Sequence, residues 1–482
     1  MMRRSLVSAV AGVFVLASLS VLPAQSAPAV FHSPNLTPVA SHKWFGDATQ
    51  RGTDLEFATI GGRDYAFAGT YSYGMQVIDI TNPRRPEGVG VFDCGLAQGD
   101  VQVFRQGSRW LATYTADNGY GSGGTCYRRL GVKRGTYGTF IADVTDPSNP
   151  KPVGFVPIIL GSHNMTVHPG GRFLYNSDSE FPGRGQVEIW DIIDPAKPKR
   201  TRIFDLLPAP AAVNDLPSSS HDITFNADGT RAYVAALNYS VVLDTTAPGA
   251  PVVLSWIVDP AITLHHQSDP VTFETPVGPV TYLVITDELG GGGSNVCPGG
   301  GLHVYNITGP LELAPVKVGA FFAPFAGESP ARACTSHVLR MHPDEAIMTI
   351  GWYGLGSRVI DISGLIGLSV GPDEATGTVG PGMREVGFLR FENSDTWTAK
   401  TNRIEPDGSF YLYANDHQRG FEVLRYTPPP EGLVDGGPDD IDPGRWLTPS
   451  EALDDTLDRR ARTGTAASGT DAPYCVIPFL SA

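Results

Sequence analysis

A chain of 482 residues with 41% hydrophobic content can bury a large core, and its 56 glycines and 40 prolines suit many short strands joined by turns rather than long helices. A formal net charge of −15, with no basic stripe interleaved with aromatics, argues against nucleic acid as a partner and favours cationic ligands. Beyond the N-terminus no segment is apolar over the length that a membrane span needs.

Arg3 and Arg4 precede an apolar stretch from Leu6 to Leu22 and then small residues around Ala24-Gln25-Ser26, which reads as a secretory signal peptide over 1–26. The paired arginines also suit twin-arginine export, an ordinary charged N-terminal region being the alternative. The expected location is therefore extracellular or in the cell envelope. Residues 27–38 read as a leader.

The first organised stretch is GMQVIDITNPRRPEGVG, Gly74 to Gly90. A glycine opens an alternating apolar run, Asp79 ends it, and an Asn-Pro turn leads to a second strand near Val89. The pattern returns at 138–155, 185–200, 240–254 and 301–319, with weaker copies at 357–364 and 420–430. Upstream of each copy lies another hairpin, clearest in Ser162 to Asp178 and Ser220 to Ala236, so one unit holds four strands, a to d. Inner strands begin near Asp54, Asp100, His163, His221, His265, His337 and Trp397. These are seven units at intervals of roughly fifty to sixty-five residues, and the fold expected is all-β, a seven-bladed β-propeller over 39–426.

The last unit stops at Tyr426, before Pro428-Pro429-Pro430, and lacks its d strand. Pro38 to Phe45 (PVASHKWF) looks like the d strands of other units, so the N-terminal strand is expected to complete the last blade and close the ring. Residues 427–482 read as a Pro/Gly-rich tail with a short helix opened by the capping box Thr448-Pro449-Ser450-Glu451.

The units resemble the LVIVD-repeat family of secreted bacterial β-propellers. The residues that carry this are VIDI at Val77 to Ile80 with Asn82-Pro83, IADV at Ile141 to Val144 with Asp146-Pro147, and VIDIS at Val359 to Ser363. The resemblance implies a fold and export, and says little about function, since propellers host both binding modules and enzymes.

In such a blade the d-to-a and b-to-c connections share one face, and all the long loops fall there, so that face is expected to do the work. The same topology pairs Cys94 with Cys126 and Cys297 with Cys334, and leaves Cys475 over. His163, His221, His265 and His337 share one repeat position at the mouth of strand a, with His266 adjacent. Converging there, neutral imidazoles would suit a transition metal such as iron, copper or zinc. Asp117, Asp178, Asp287, Glu288 and Asp416, near b-strand ends, would add ligands or orient the rings. The competing reading makes each Ser-His pair a hydrogen-bonding device that repeats with the blade. Tyr71, Tyr73, Tyr120, Trp352 and Tyr353 read as loop aromatics that stack on a ligand or fill gaps between blades.

Two functions stand at this point. One is a secreted binding module for an extracellular ligand or protein, using the long-loop face; the other is a metal-dependent oxidase or oxygenase with the histidines around the channel mouth.

Overall fold

The computed structural model describes residues 28–42, 51–71, 73–95, 99–115, 125–133, 136–158, 162–178, 186–206, 219–288, 297, 299–325, 333–366, 368, 382–429 and 444–463. The segment expected to be a signal peptide, together with Asp117, Tyr120 and Cys475, lies outside them.

Two short strands come first, β1 (Val30–His32) and β2 (Leu36–His42). Blade 1 holds β3 to β6 (Gly52–Ile60, Arg63–Thr70, Met75–Asp79, Glu87–Phe92). Blade 2 holds β7 to β10 (Val101–Gln106, Arg109–Tyr114, Gly138–Asp143, Lys151–Pro157), with α1 (Thr125–Leu130) between its second and third strands. Blade 3 is β11 to β14 (Asn164–Val167, Phe173–Ser177, Gln186–Asp191, Lys199–Asp205) and blade 4 is β15 to β18 (Asp222–Phe225, Arg231–Ala235, Ser240–Asp244, Val252–Ile257). Blade 5 is β19 to β22 (His265–Phe273, Val280–Asp287, Leu302–Asn306, Val316–Phe322) and blade 6 is β23 to β26 (Leu339–His342, Ile347–Gly351, Ser357–Gly364, Gly382–Phe391). Blade 7 takes β27 to β29 (Thr396–Lys400, Phe410–Asp416, Gly420–Tyr426) from the end of the repeat and β2 from its start. The chain is a seven-bladed β-propeller.

Strand β2 runs antiparallel to β29, from Leu36 opposite Tyr426 to His42 opposite Phe421, with a bulge between Pro38 and Ala40. A bulge recurs where c meets d in the other blades, for example between Val77 and Ile78 and between Val242 and Leu243. The N-terminal strand therefore carries the structural mark of a d strand, as expected from its sequence. Side chains from both faces of each sheet pack against neighbouring blades, so apolar clusters alternate with blades around the ring. Phe67 and Val77 of blade 1 meet Tyr114 and Phe140 of blade 2 in one such cluster.

Two edges differ from the four-stranded expectation. The stretch 27–38, read as leader, supplies β1, which pairs with the outer strand β26 of blade 6. Strand β30 (Arg445–Leu447) from the tail covers β22 of blade 5. Each is three residues long and too short to show alternation, but each covers ladder groups that would otherwise stand open. Helix α2 (Pro449–Thr463) follows, and its capping box is made as expected: Thr448 N–H and Oγ donate to Glu451 Oε2, each at 2.8 Å. The helix docks on the ring, burying Ala452 against Ala320, Phe322 and Leu447, and Thr456 Oγ donates to Ala261 O at 3.0 Å. Among the described residues no helix is long and apolar enough to cross a membrane.

Both expected disulfides are present, Cys94–Cys126 and Cys297–Cys334, spanning 32 and 37 residues. Helix α1 carries Cys126, so the first bridge pins the long loop of blade 2 to that blade's inlet. Closing loops of this length contributes about 3 to 4 kcal/mol each through chain entropy. Cys297→Ser with Cys334→Ser is therefore expected to lower unfolding free energy by that amount in urea titrations, and an unchanged midpoint would contradict it.

Candidate functional site

Inner strands begin at the mouth of the central channel, and at the repeat position where strand a starts the seven blades place Thr53, Gly99, His163, His221, His266, His337 and Trp397 around it. Four imidazoles form a continuous arc. Ring centroids lie 4.4 Å apart from His163 to His221, 4.3 Å from His221 to His266, and 4.2 Å from His266 to His337. The arc continues through Trp397, 4.6 Å from His337, to His417 stacked on that indole. On the other side Gly99 stands where a side chain would run into the Tyr114 ring, which explains why this blade carries no imidazole.

His266 occupies the place expected for His265. Between His265 and Ser268 strand β19 bulges against β20, and the extra residue turns His266 inward. His265 points instead toward blade 4, with Nδ1 2.9 Å from Ser240 Oγ. It belongs to the blade interior, not to the arc.

Glu288 completes the group. Its carboxylate lies 3.8 Å from Nε2 of both His266 and His337, and Tyr353 donates to it at 2.7 Å. Donor atoms of His221, His266 and Glu288 all lie within 4.8 Å of one another. The other acidic candidates serve the frame. Asp178 accepts from Ser219 Oγ; Asp287 takes the Leu264 N–H at 3.0 Å; Asp416 caps a turn through the N–H groups of Asp395, Gln418 and Arg419. Trp352 and Tyr353 are not exposed loop aromatics but are buried at 1% and 0% exposure.

The repeated Ser-His pair divides its labour. Ser162, Ser220 and Ser336 bond across strands, to Thr139 and Asn176, to Ser177, and to the Asp287 and Gly301 carbonyls. They are the hydrogen-bonding device that repetition alone would explain. The imidazoles are anchored separately: His221 Nδ1 lies 3.0 Å from His266 O and His337 Nδ1 lies 2.6 Å from Trp397 O. A carbonyl only accepts, so each Nδ1 carries the proton, and the neutral ring then presents the Nε2 lone pair. Nε2 of His221, fully buried, has no hydrogen-bond partner among the described residues.

Burial, reinforced by the neighbouring imidazoles, holds His221 and His266 well below the ordinary histidine range, and burial pushes His337 down to about 3. These rings are neutral at neutral pH. His265 is likewise pushed down to about 3 by burial. Because its folded value lies below the unfolded one, its contribution to stability is complete above about pH 6.5 and is lost as pH falls; by pH 5 one such group forfeits about 2 kcal/mol. His265→Gln should therefore reduce by that amount the stability lost between pH 7 and pH 5, read from urea midpoints; parallel losses in the two proteins would contradict this.

Beneath the arc a cavity of about 360 Å³ follows the inner strands, lined by His163, His266 and His337 at one end and by exposed Pro169 with half-buried Phe225 and Met341 at the a-to-b turns. Five carboxylates (Asp54, Glu56, Asp100, Asp222, Asp269) and two cations (Arg340, Lys400) line it, an excess of three acidic groups. Lys400 lies 2.8 Å from Asp54 and 2.9 Å from Glu56, and Arg340 also pairs with Glu56, whose carboxyl is held down at about 2 against burial by these cations. Burial and then Asp54 raise Asp100, while burial and then Asp269 push Asp222 up to about 7. Sequence reasoning missed this tier, although Asp54, Asp100 and Asp222 directly follow the arc position in their repeats. Residues 116–124, 179–185, 207–218, 289–296 and 326–332 of the long-loop face lie outside the described residues.

No protein-family profile and no curated protein matches the chain. Solved structures do. A Pseudomonas aeruginosa periplasmic gluconolactonase, PpgL, is similar over 82% of this chain and 98% of its own, at 13% identity and a TM-score of 0.49. A functionally unknown protein from Desulfotomaculum acetoxidans is similar over 73% of this chain and 99% of its own, at 15% identity and a TM-score of 0.43. At such identities and scores neither bears on what this chain does.

Proposed function

We propose that the chain is an exported binding protein of the LVIVD-repeat kind whose binding centre is a transition-metal site at the channel mouth, held by His221, His266, His337 and Glu288 with His163 completing the arc. The observation that carries this is the anchoring of His221 and His337 through Nδ1 to backbone carbonyls, which aims Nε2 lone pairs at a shared space. Orientation of a ligating imidazole through its other nitrogen is the usual support of a metal centre. Borderline ions such as zinc, copper and iron suit neutral nitrogen donors joined by one carboxylate. Export is supported by the two disulfides and the N-terminal sequence pattern.

An oxidase or oxygenase role gains nothing from the comparisons, and a donor set alone specifies no reaction. The reading is tested by adding cobalt(II) to chelator-treated protein. One equivalent should give the visible absorption of a low-coordinate nitrogen-ligated ion, and this should be absent from His221→Ala. A featureless titration of the wild type would refute the site.

A further inference from the structure

The imidazoles of the arc are between 0% and 3% exposed, so an ion needs a path to them through the protein. The cavity beneath the arc offers such a path, since its lining runs from His163, His266 and His337 to Pro169, Phe225 and Met341 at the a-to-b turns, the end opposite the long loops. Its carboxylates do not form a chelate of their own. A bare ion needs oxygens gathered around one point, and among the described residues the only group that gathers so is His221, His266 and Glu288. Asp54, Asp100, Asp222 and Asp269 are instead distributed along the wall. Asp54 is 6% exposed, lines the cavity, and has an oxygen, Oδ2, with no hydrogen-bond partner among the described residues.

We propose that this acidic shaft is the access route by which the metal cation reaches the histidine arc, with the carboxylates raising the local cation concentration and handing the ion on without retaining it. This rests on the metal-site reading above. Even with two cations on its wall, a low-dielectric shaft carrying more acidic than basic groups focuses field lines toward cations, and such focusing raises association rates by roughly 10- to 1000-fold. It also fits the direction of access: cations would enter from the face of short turns, leaving the long-loop face free for a macromolecular ligand.

The test changes the charge of the shaft without touching any donor or ion pair. Gln102 lines the cavity and is half-buried. Zinc association with chelator-treated protein is followed by stopped flow. Gln102→Lys is expected to slow association about tenfold and Gln102→Glu to leave it as fast or faster, with dissociation rate and stoichiometry unchanged. Glu87→Gln, which shifts net charge by the same unit on the exposed outer strand β6, should leave the rate unchanged. Rates for Gln102→Lys equal to wild type, or equal slowing by Glu87→Gln, would overturn the route while leaving the metal site standing. Failure of the wild type to bind zinc at all would remove the site and the route together, and is read separately from the equilibrium titration.

Discussion

His266→Gln is expected to lower transition-metal affinity at least a hundredfold while leaving the propeller folded. His266 is the central member of the arc, with rings at 4.3 and 4.2 Å on either side and Glu288 3.8 Å from its Nε2. Glutamine keeps much of the side-chain volume but exchanges the imidazole nitrogen for a weakly basic amide. Loss of a supporting partner costs 10- to 100-fold in metal affinity, so loss of a donor should cost at least the upper end of that range. Glu288→Gln keeps the Tyr353 hydrogen bond and loses the charge, and about tenfold is expected. The decisive control sits one residue away: His265→Gln should leave affinity within about threefold, because the bulge turns His265 toward Ser240. Competition against a chelator of known affinity measures all three. Equal losses in His265→Gln and His266→Gln would show that the arc is not the site.

A chain beginning at residue 43 should show no cooperative unfolding transition, whereas one beginning at residue 33 should unfold within about 2 kcal/mol of a chain beginning at residue 28. The longer deletion removes β2, whose Leu36 is fully buried beside Val386, Leu389, Leu412 and Leu424, and strips the ladder from β29 along six paired residues. Losing a buried leucine alone costs about 2 to 5 kcal/mol. With the strand's remaining contacts gone, the total approaches the 5 to 15 kcal/mol that separates folded from unfolded domains. It also opens the ring and bares an edge that invites aggregation. The shorter deletion removes only β1, whose residues are all exposed. Circular dichroism against urea distinguishes these outcomes, and a sharp transition in the longer deletion would mean that the ring closes by other means.

Much of this architecture is legible in the chain. Alternation ending in Asp and Asn-Pro is chemistry local to each hairpin, so seven copies announce seven blades, and the missing d strand after Tyr426 points to its replacement near Pro38. Loop topology then placed the cysteines correctly, because a propeller fixes which connections share a face. The histidines were legible only to within one residue. His265 aligns by spacing, but an inserted residue in β19 hands the position to His266, and nothing in a single sequence marks a bulge. Tyr353, with a positive φ of 38°, is folded inward onto Glu288, which loop position alone does not disclose. The three-residue strands β1 and β30 are likewise set by tertiary pairing, not by local pattern.

Metal analysis of protein purified from its native host without chelators or affinity metals tests most directly whether imidazoles at the channel mouth hold an ion. Close to one equivalent of zinc, copper or iron per chain is expected, falling to background in His221→Ala isolated alongside. Metal-free wild-type protein that also fails to take up an added equivalent of any of the three would contradict it, and the arc would then be a purely structural stack of rings.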